Sequence, residues 1–209
     1  MEPNIWGPSL WQVLHGVAHV CPPSHAHDFW LMVDLLPNIL PCSLCRQSVA
    51  AFYSSNAALR EARNGNHPAL WAWTLHNLAN EKLHHRVKSA DHVARRLQTR
   101  QLLGLPLFEL EALWHFLALG AVCADMVPDG AKRVPRQHDF VRFMRHLGAT
   151  LQGTHQFPAA ARALVSVTSA PLLRGDTLSC AAIVARVAGI PLTSLWQAGR
   201  VAMAMPTTS

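Results

Sequence analysis

Pro41-Cys42-Ser43-Leu44-Cys45 is the stretch on which the reading of this chain turns. It holds the only Cys-x-x-Cys pair in 209 residues. Two cysteines at that spacing can close a small ring on the first turn of a helix. There the unpaired backbone N–H groups and the helix dipole favour a thiolate. Such a pair is either a redox dithiol or half of a metal site, and the 13 histidines offer ready partners for zinc.

The flanking segments favour redox chemistry. Upstream runs Trp6-Gly7-Pro8-Ser9-Leu10-Trp11, with His15 four residues on; downstream come Trp71, His76-Asn77 and Asn80. Trp11, His15 and Ala18 share one helix face by their i, i+4, i+7 spacing, and His76, Asn80 and Leu83 share another. Two polar-aromatic faces beside a dithiol suit a planar ligand with an apolar ring system and a hydrogen-bonding rim. A flavin fits that description and accepts two electrons from a thiolate.

Composition narrows the class. Half of the residues are hydrophobic and 14% are charged, so a packed core is expected rather than disorder. Five cysteines, Cys21, Cys42, Cys45, Cys123 and Cys180, are too few for a secreted disulfide scaffold of this length. The opening Met1-Glu2-Pro3-Asn4 lacks the basic and apolar regions of a secretory signal. The most apolar stretch, 110–127, carries Glu111, His115 and Asp125, and reads as a buried helix rather than a membrane span. A formal charge of +6 permits an anionic partner. The basic cluster Lys82, Arg86, Lys88, Arg95, Arg96 and Arg100 contains no interleaved aromatic, so a solvated helix face is expected and nucleic-acid binding is not.

Periodicity is helical nearly throughout. Helices are expected over 8–20, 27–36, 43–63, 68–85, 91–103, 108–124, 137–151, 158–167, 176–187 and 191–203. Residues 164–168 alone hint at a strand, and a helix end explains them as well. Ser89 is the expected cap and Gly104 the expected terminator of the fifth helix. Pro128, Asp129-Gly130 and Pro135 mark 125–137 as the clearest internal linker.

Residues 5–86 resemble the Erv/ALR family of FAD-dependent sulfhydryl oxidases, most closely the short oxidases of large DNA viruses. Three motifs carry the resemblance in the family's order: Trp-Gly-Pro-x-x-Trp-x-x-x-His over residues 6–15, Pro-Cys-x-x-Cys over 41–45, and Trp-x-x-x-x-His-Asn-x-x-Asn-x-x-Leu over 71–83. The resemblance implies an all-α fold: a bundle of four to five helices that binds FAD, here residues 1–104, followed by a further helical region, residues 105–209. It implies that Cys45 is the cysteine nearest the flavin and that Cys42 faces substrate thiols. Trp11, His15, His76, Asn80 and Leu83 would line the FAD pocket, and Lys82 would reach its phosphates. No metal ligand is implied.

The implied reaction takes electrons from client protein dithiols by disulfide exchange and passes them through FAD to molecular oxygen, giving hydrogen peroxide. A homodimer, and residence in a host cytoplasm or virion, follow from the same likeness, with the mitochondrial intermembrane space as the alternative. A catalytically silent helical interaction module and a zinc-binding protein using Cys42, Cys45 and histidines are the competing readings.

The chain also departs from the family. Cellular members often carry a second disulfide bracing the FAD end; Trp73 and Ala90 stand at its two positions here. His84-His85 replaces the usual small-basic pair, and no second Cys-x-x-Cys is present. Cys21, Cys123 and Cys180 are expected to be buried small side chains. Residues 105–209 carry no recognisable chemistry. They are expected to cover an apolar face of the bundle, to shape assembly, or to dock a client.

Overall fold

A computed structural model describes residues 2–125, 130–154 and 158–169, all helices and connections with no strand among them. The expected helices at 176–187 and 191–203, and Cys180, lie outside the described residues. The fold is all-α, a helical bundle followed by additional helices.

The first helix, α1 (Pro3–Val20), starts five residues earlier than the sequence suggested and contains Pro8. Proline there removes the bond to the Asn4 carbonyl, but both residues are exposed, so water satisfies that carbonyl. The expected second helix is divided. A 3-10 turn (Pro23–His25) leads into α2 (Ala26–Asp34), and Pro37 does not end the segment but sits in the first turn of the short α3 (Leu36–Ile39).

The expected third helix is also two. Asn56 ends α4 (Ser43–Ser55), and its Oδ1 accepts from the Leu59 N–H at 3.0 Å to cap α5 (Ala57–Asn64). An asparagine side chain competes with the backbone in this way, which makes it a break inside an otherwise periodic run. Next come α6 (Pro68–Lys82) and α7 (Ala90–Leu102), the latter capped by Ser89 and ended by Gly104 at φ 65° as expected. Asn66 and His84 end α5 and α6 in the same left-handed conformation, at φ 55° and 56°.

Beyond Gly104 lie α8 (Leu110–Asp125), α9 (Gly130–Gln152) and α10 (Pro158–Ser169). Of the expected 125–137 linker, residues 130–137 belong instead to α9, which takes Pro135 into its second turn on an exposed face, while 126–129 lie outside the described residues. The strand hinted at 164–168 is the end of α10. No helix among the described residues is long and apolar enough to cross a membrane.

One apolar core continues on both sides of α1. On the N-terminal side Phe29, Trp30, Tyr53 and Trp71 pack edge-on with ring centroids 5.0–6.1 Å apart. The Tyr53 hydroxyl donates to the Val33 carbonyl at 2.8 Å, and burial pushes its pKa well up. The opposite side of α1 packs on α8, while α9 covers α2 and α3 and packs on α8 and α10.

These later contacts depend on missing side chains. A Cβ on Gly16 would meet the Phe108 ring at 2.4 Å, one on Gly120 the Phe140 ring at 2.3 Å, and one on Gly148 the Leu164 Cβ at 2.8 Å. Three polar ties cross the same boundary. Ser9 is hydrogen-bonded to His115 at 2.8 Å, Asn38 Nδ2 donates to Asp139 at 2.8 Å, and His146 pairs with Asp28 at 2.9 Å.

Candidate active site

Cys42 and Cys45 are disulfide-bonded, with their Cα atoms 5.1 Å apart. Cys42 is the N-cap of α4, and its Sγ accepts from the Cys45 N–H at 3.1 Å. A capping side chain is normally an oxygen. With sulfur in that place, the helix's positive end bears on Cys42, so its thiolate is the one the backbone stabilises once the bond is reduced. Both cysteines are half-buried, while Ser43 and Leu44 between them are exposed, Leu44 by 69%. The disulfide therefore sits in a turn that another polypeptide can reach.

Among the described residues no three of histidine, cysteine, aspartate and glutamate gather in a group able to hold a metal ion. The zinc reading of Cys42 and Cys45 has no further ligands there.

The predicted α1 and α6 faces do come together. The Trp11 and His76 rings stack at 4.2 Å, tilted by only 6°, and His15 lies beside them. His15 Nε2 and His76 Nδ1 are 2.8 Å apart and share one hydrogen bond, donated by whichever ring carries the proton. Burial first, then His76 and Arg96, pulls the His15 pKa down to about 3. Burial and then Lys88 lowers His76 to about 4. Both rings are neutral at pH 7, so the pair can offer a donor and an acceptor edge without a charge.

Asn80 is buried on the same face of α6, with only a long 3.5 Å bond from its Nδ2 to Asn77 Oδ1. Leu83 is not gathered with these groups; it caps α6 and is 45% exposed. Trp71 belongs to the aromatic core and not to this cluster.

Lys82 links the two parts of the site. Its Nζ donates to Ser48 Oγ at 2.6 Å, and Ser48 Oγ donates to the Leu44 carbonyl at 2.6 Å. A cation at the end of α6 is thus tied to the turn between the cysteines. Ser48 was not singled out by the sequence. Its only signal is position, one turn beyond Leu44 and Cys45. Asn77 was quoted only as part of a motif, yet its amide bonds both backbone groups of Lys88.

Cys21 and Cys123 are free and half-buried. Burial and then Asp28 raises the Cys21 pKa to about 11, and burial raises that of Cys123.

The arrangement offers an accessible disulfide at a helix N-terminus and a flat neutral ring pair with hydrogen-bonding edges. Lys82 at the end of α6, and Arg86 and Lys88 beyond it, supply positive charge. That donor set fits a planar heteroaromatic ligand carrying phosphates. Neither the curated proteins nor the solved structures give a match to this chain. Over residues 8–98, which run from α1 into α7 and contain every side chain of this site, the chain matches the Erv1 / Alr family model, and it is to that family that this part of the chain is similar.

Proposed function

We propose that the chain is an FAD-dependent thiol oxidase that forms disulfides in client proteins through Cys42 and Cys45. The observation that carries this reading is the capped disulfide of α4, tied through Ser48 and Lys82 to the helix that presents His76. The family match over residues 8–98 supports it.

A client thiolate attacks Cys42 Sγ in the exposed turn, forming a mixed disulfide and releasing Cys45 as thiolate. The client's second thiolate then attacks its own sulfur in that mixed disulfide. Cys42 leaves as a thiolate, stabilised by the Cys45 N–H and the start of α4. The client has lost two electrons and two protons; the cysteine pair has gained the electrons. Bound FAD supplies the two-electron acceptor that returns the pair to a disulfide and delivers the electrons to dioxygen as hydrogen peroxide.

Trp11, His15, His76 and Asn80 would hold the flat part of the nucleotide, and Lys82, from the end of α6, its phosphates. Neutral histidines serve here because a buried imidazolium beside Arg96 and Lys88 would be repelled. Leu83 would lie at the rim. Client dithiols and oxygen are the co-substrates, and a host cytoplasm or virion is the proposed setting.

The test is an absorption spectrum followed by oxygen uptake with a model dithiol. The purified chain should be yellow. Cys45→Ser should keep FAD but fail to reduce it with dithiol, and Cys42→Ser should also lose turnover while developing a long-wavelength charge-transfer band. His76→Ala and Asn80→Ala should lower flavin occupancy. Undiminished oxygen uptake in either cysteine variant sinks the mechanism; a colourless protein that yields zinc to a chelator sinks the cofactor.

A further inference from the structure

The segment between α6 and α7 buries none of its side chains. Residues 81–92 are all exposed, including Leu83 at 45% and Val87 at 46%. Its turn is also strained, because His84, a residue with a Cβ, adopts φ 56° so that the His85 N–H can reach the Asn80 carbonyl at 2.8 Å. Such a conformation persists only where the surroundings over-determine it.

Three bonds converge on one residue of that segment. The Lys88 N–H donates to Asn77 Oδ1 at 3.0 Å, Asn77 Nδ2 donates back to the Lys88 carbonyl at 2.8 Å, and Trp73 Nε1 donates to the same carbonyl at 2.7 Å. Trp73 and Asn77 are four residues apart on α6, hence on one face of it. Asn77 is buried, so its amide meets little competition from water. Its two bonds pair with the Lys88 peptide groups as a neighbouring strand would.

The pin falls just before Ser89, the cap of α7, so it also fixes where α7 begins. Downstream of it, α7 brings Arg96 near His15, and Lys88 itself lies near His76.

We propose that Trp73 and Asn77 are positioning residues that pin the Lys88 backbone, hold segment 83–88 closed over the His76–Asn80 end of α6, and thereby retain the bound flavin nucleotide. The retention role rests on the flavin reading above; the pin itself does not.

The test uses the full chain with Asn77→Ala, Asn77→Asp and Trp73→Phe. Amide hydrogen exchange at Lys88 and trypsin cleavage after Arg86 and Lys88 report the pin, and titration with FAD reports retention. Asn77→Ala should speed Lys88 exchange and cleavage and weaken FAD about tenfold, in keeping with the loss of roughly one to two net hydrogen bonds. Asn77→Asp keeps the acceptor for the Lys88 N–H but loses the donor, and should fall between. Trp73→Phe keeps the ring and loses one donor, giving the smallest change.

Unchanged Lys88 exchange in Asn77→Ala overturns the pin. Faster exchange with unaltered FAD affinity overturns the retention role while leaving the flavin reading intact. A wild-type chain that binds no FAD overturns the flavin reading and the retention role together, with exchange still reporting on the pin. If Asn77→Ala fails to fold, Trp73→Phe carries the same comparison.

Discussion

The end of the molecule that bears the cysteine pair and the layer formed by α8, α9 and α10 are held by different kinds of contact. At the cysteine end the contacts are directional: Cys45 N–H to Cys42 Sγ, Lys82 to Ser48, His15 to His76, Asn77 to Lys88. In the layer shape carries more of the contact, with the rings of Phe108 and Phe140 lying where Gly16 and Gly120 leave room, beside the polar ties of His115, Asp139 and His146. Directional contacts need particular residues at particular spacings and so leave motifs. Shape contacts need volume in the right place, which many apolar sequences supply.

The largest effect that tests this contrast comes from deleting residues 105–209. The apolar faces of α1, α2 and α3 that α8 and α9 cover would meet water, so the fragment should self-associate or precipitate. Light scattering reads the outcome. A soluble monomeric fragment with full flavin content would mean that the layer supports nothing.

A smaller change is Phe108→Ala, which should lower stability in urea by about 3–5 kcal/mol, as for other buried aromatics. Flavin content per folded molecule should stay the same, since Phe108 packs against α1 at Gly16, which lies about 100° or more round the helix from Trp11 and His15. Loss of flavin from the folded variant would show that the two regions are coupled through α1.

Next in size is a pH effect. His15 and His76 titrate at about 3 and 4 in the folded chain, against about 6.5 when unfolded. Below pH 6.5 the unfolded state takes up protons that the folded state refuses, so stability falls with pH until the folded pKa values are reached. The slope is at most about 1.4 kcal/mol per pH unit for each histidine, and less for the more exposed His76. A His15→Gln/His76→Gln double variant should flatten the fall in melting temperature between pH 6.5 and 5. An unchanged slope would place the sensitivity elsewhere, half-buried His115 being another histidine whose pKa burial lowers.

The smallest effect should come from Trp6→Phe. The Trp6 indole N–H is buried with no partner among the described residues, so its removal relieves a desolvation penalty while the lost ring area opposes it. The net change in stability should lie within about 1 kcal/mol of zero. A large loss would reveal a partner for that N–H.

What could be read in advance follows the same division. Trp11, His15, the cysteine pair and His76 were legible because their spacings put them on particular helix faces, and the structure gathers the Trp11, His15 and His76 rings. Asn56 was not, because an asparagine in a periodic run looks like any polar surface position until its side chain is seen to cap the next helix. Pro135 misled because proline is tolerated in the second turn of α9 on an exposed face. The absent second disulfide was legible from Trp73 and Ala90. What stands near it was not, since Trp73 and Asn77 bond a backbone, and a backbone partner has no residue signature. The α8 contact to α1 was foreseen only as a possibility, because Gly16 gives no hint of which ring will fill its place.

The two half-buried thiols bear on a hazard particular to oxidative chemistry. On the thiol-oxidase reading, a chain that forms disulfides in clients must avoid forming stray ones in itself. With its pKa near 11, Cys21 is a thiolate in only about one molecule in ten thousand at neutral pH, and the thiolate is the attacking form. Cys123 is shifted in the same direction. Both are thus poor attacking groups at neutral pH, which on that reading limits exchange between them and the Cys42–Cys45 pair. The same property gives the experimenter a clean handle: at neutral pH a thiol-alkylating reagent should spare Cys21 and Cys123 and, after mild reduction, mark Cys42 first.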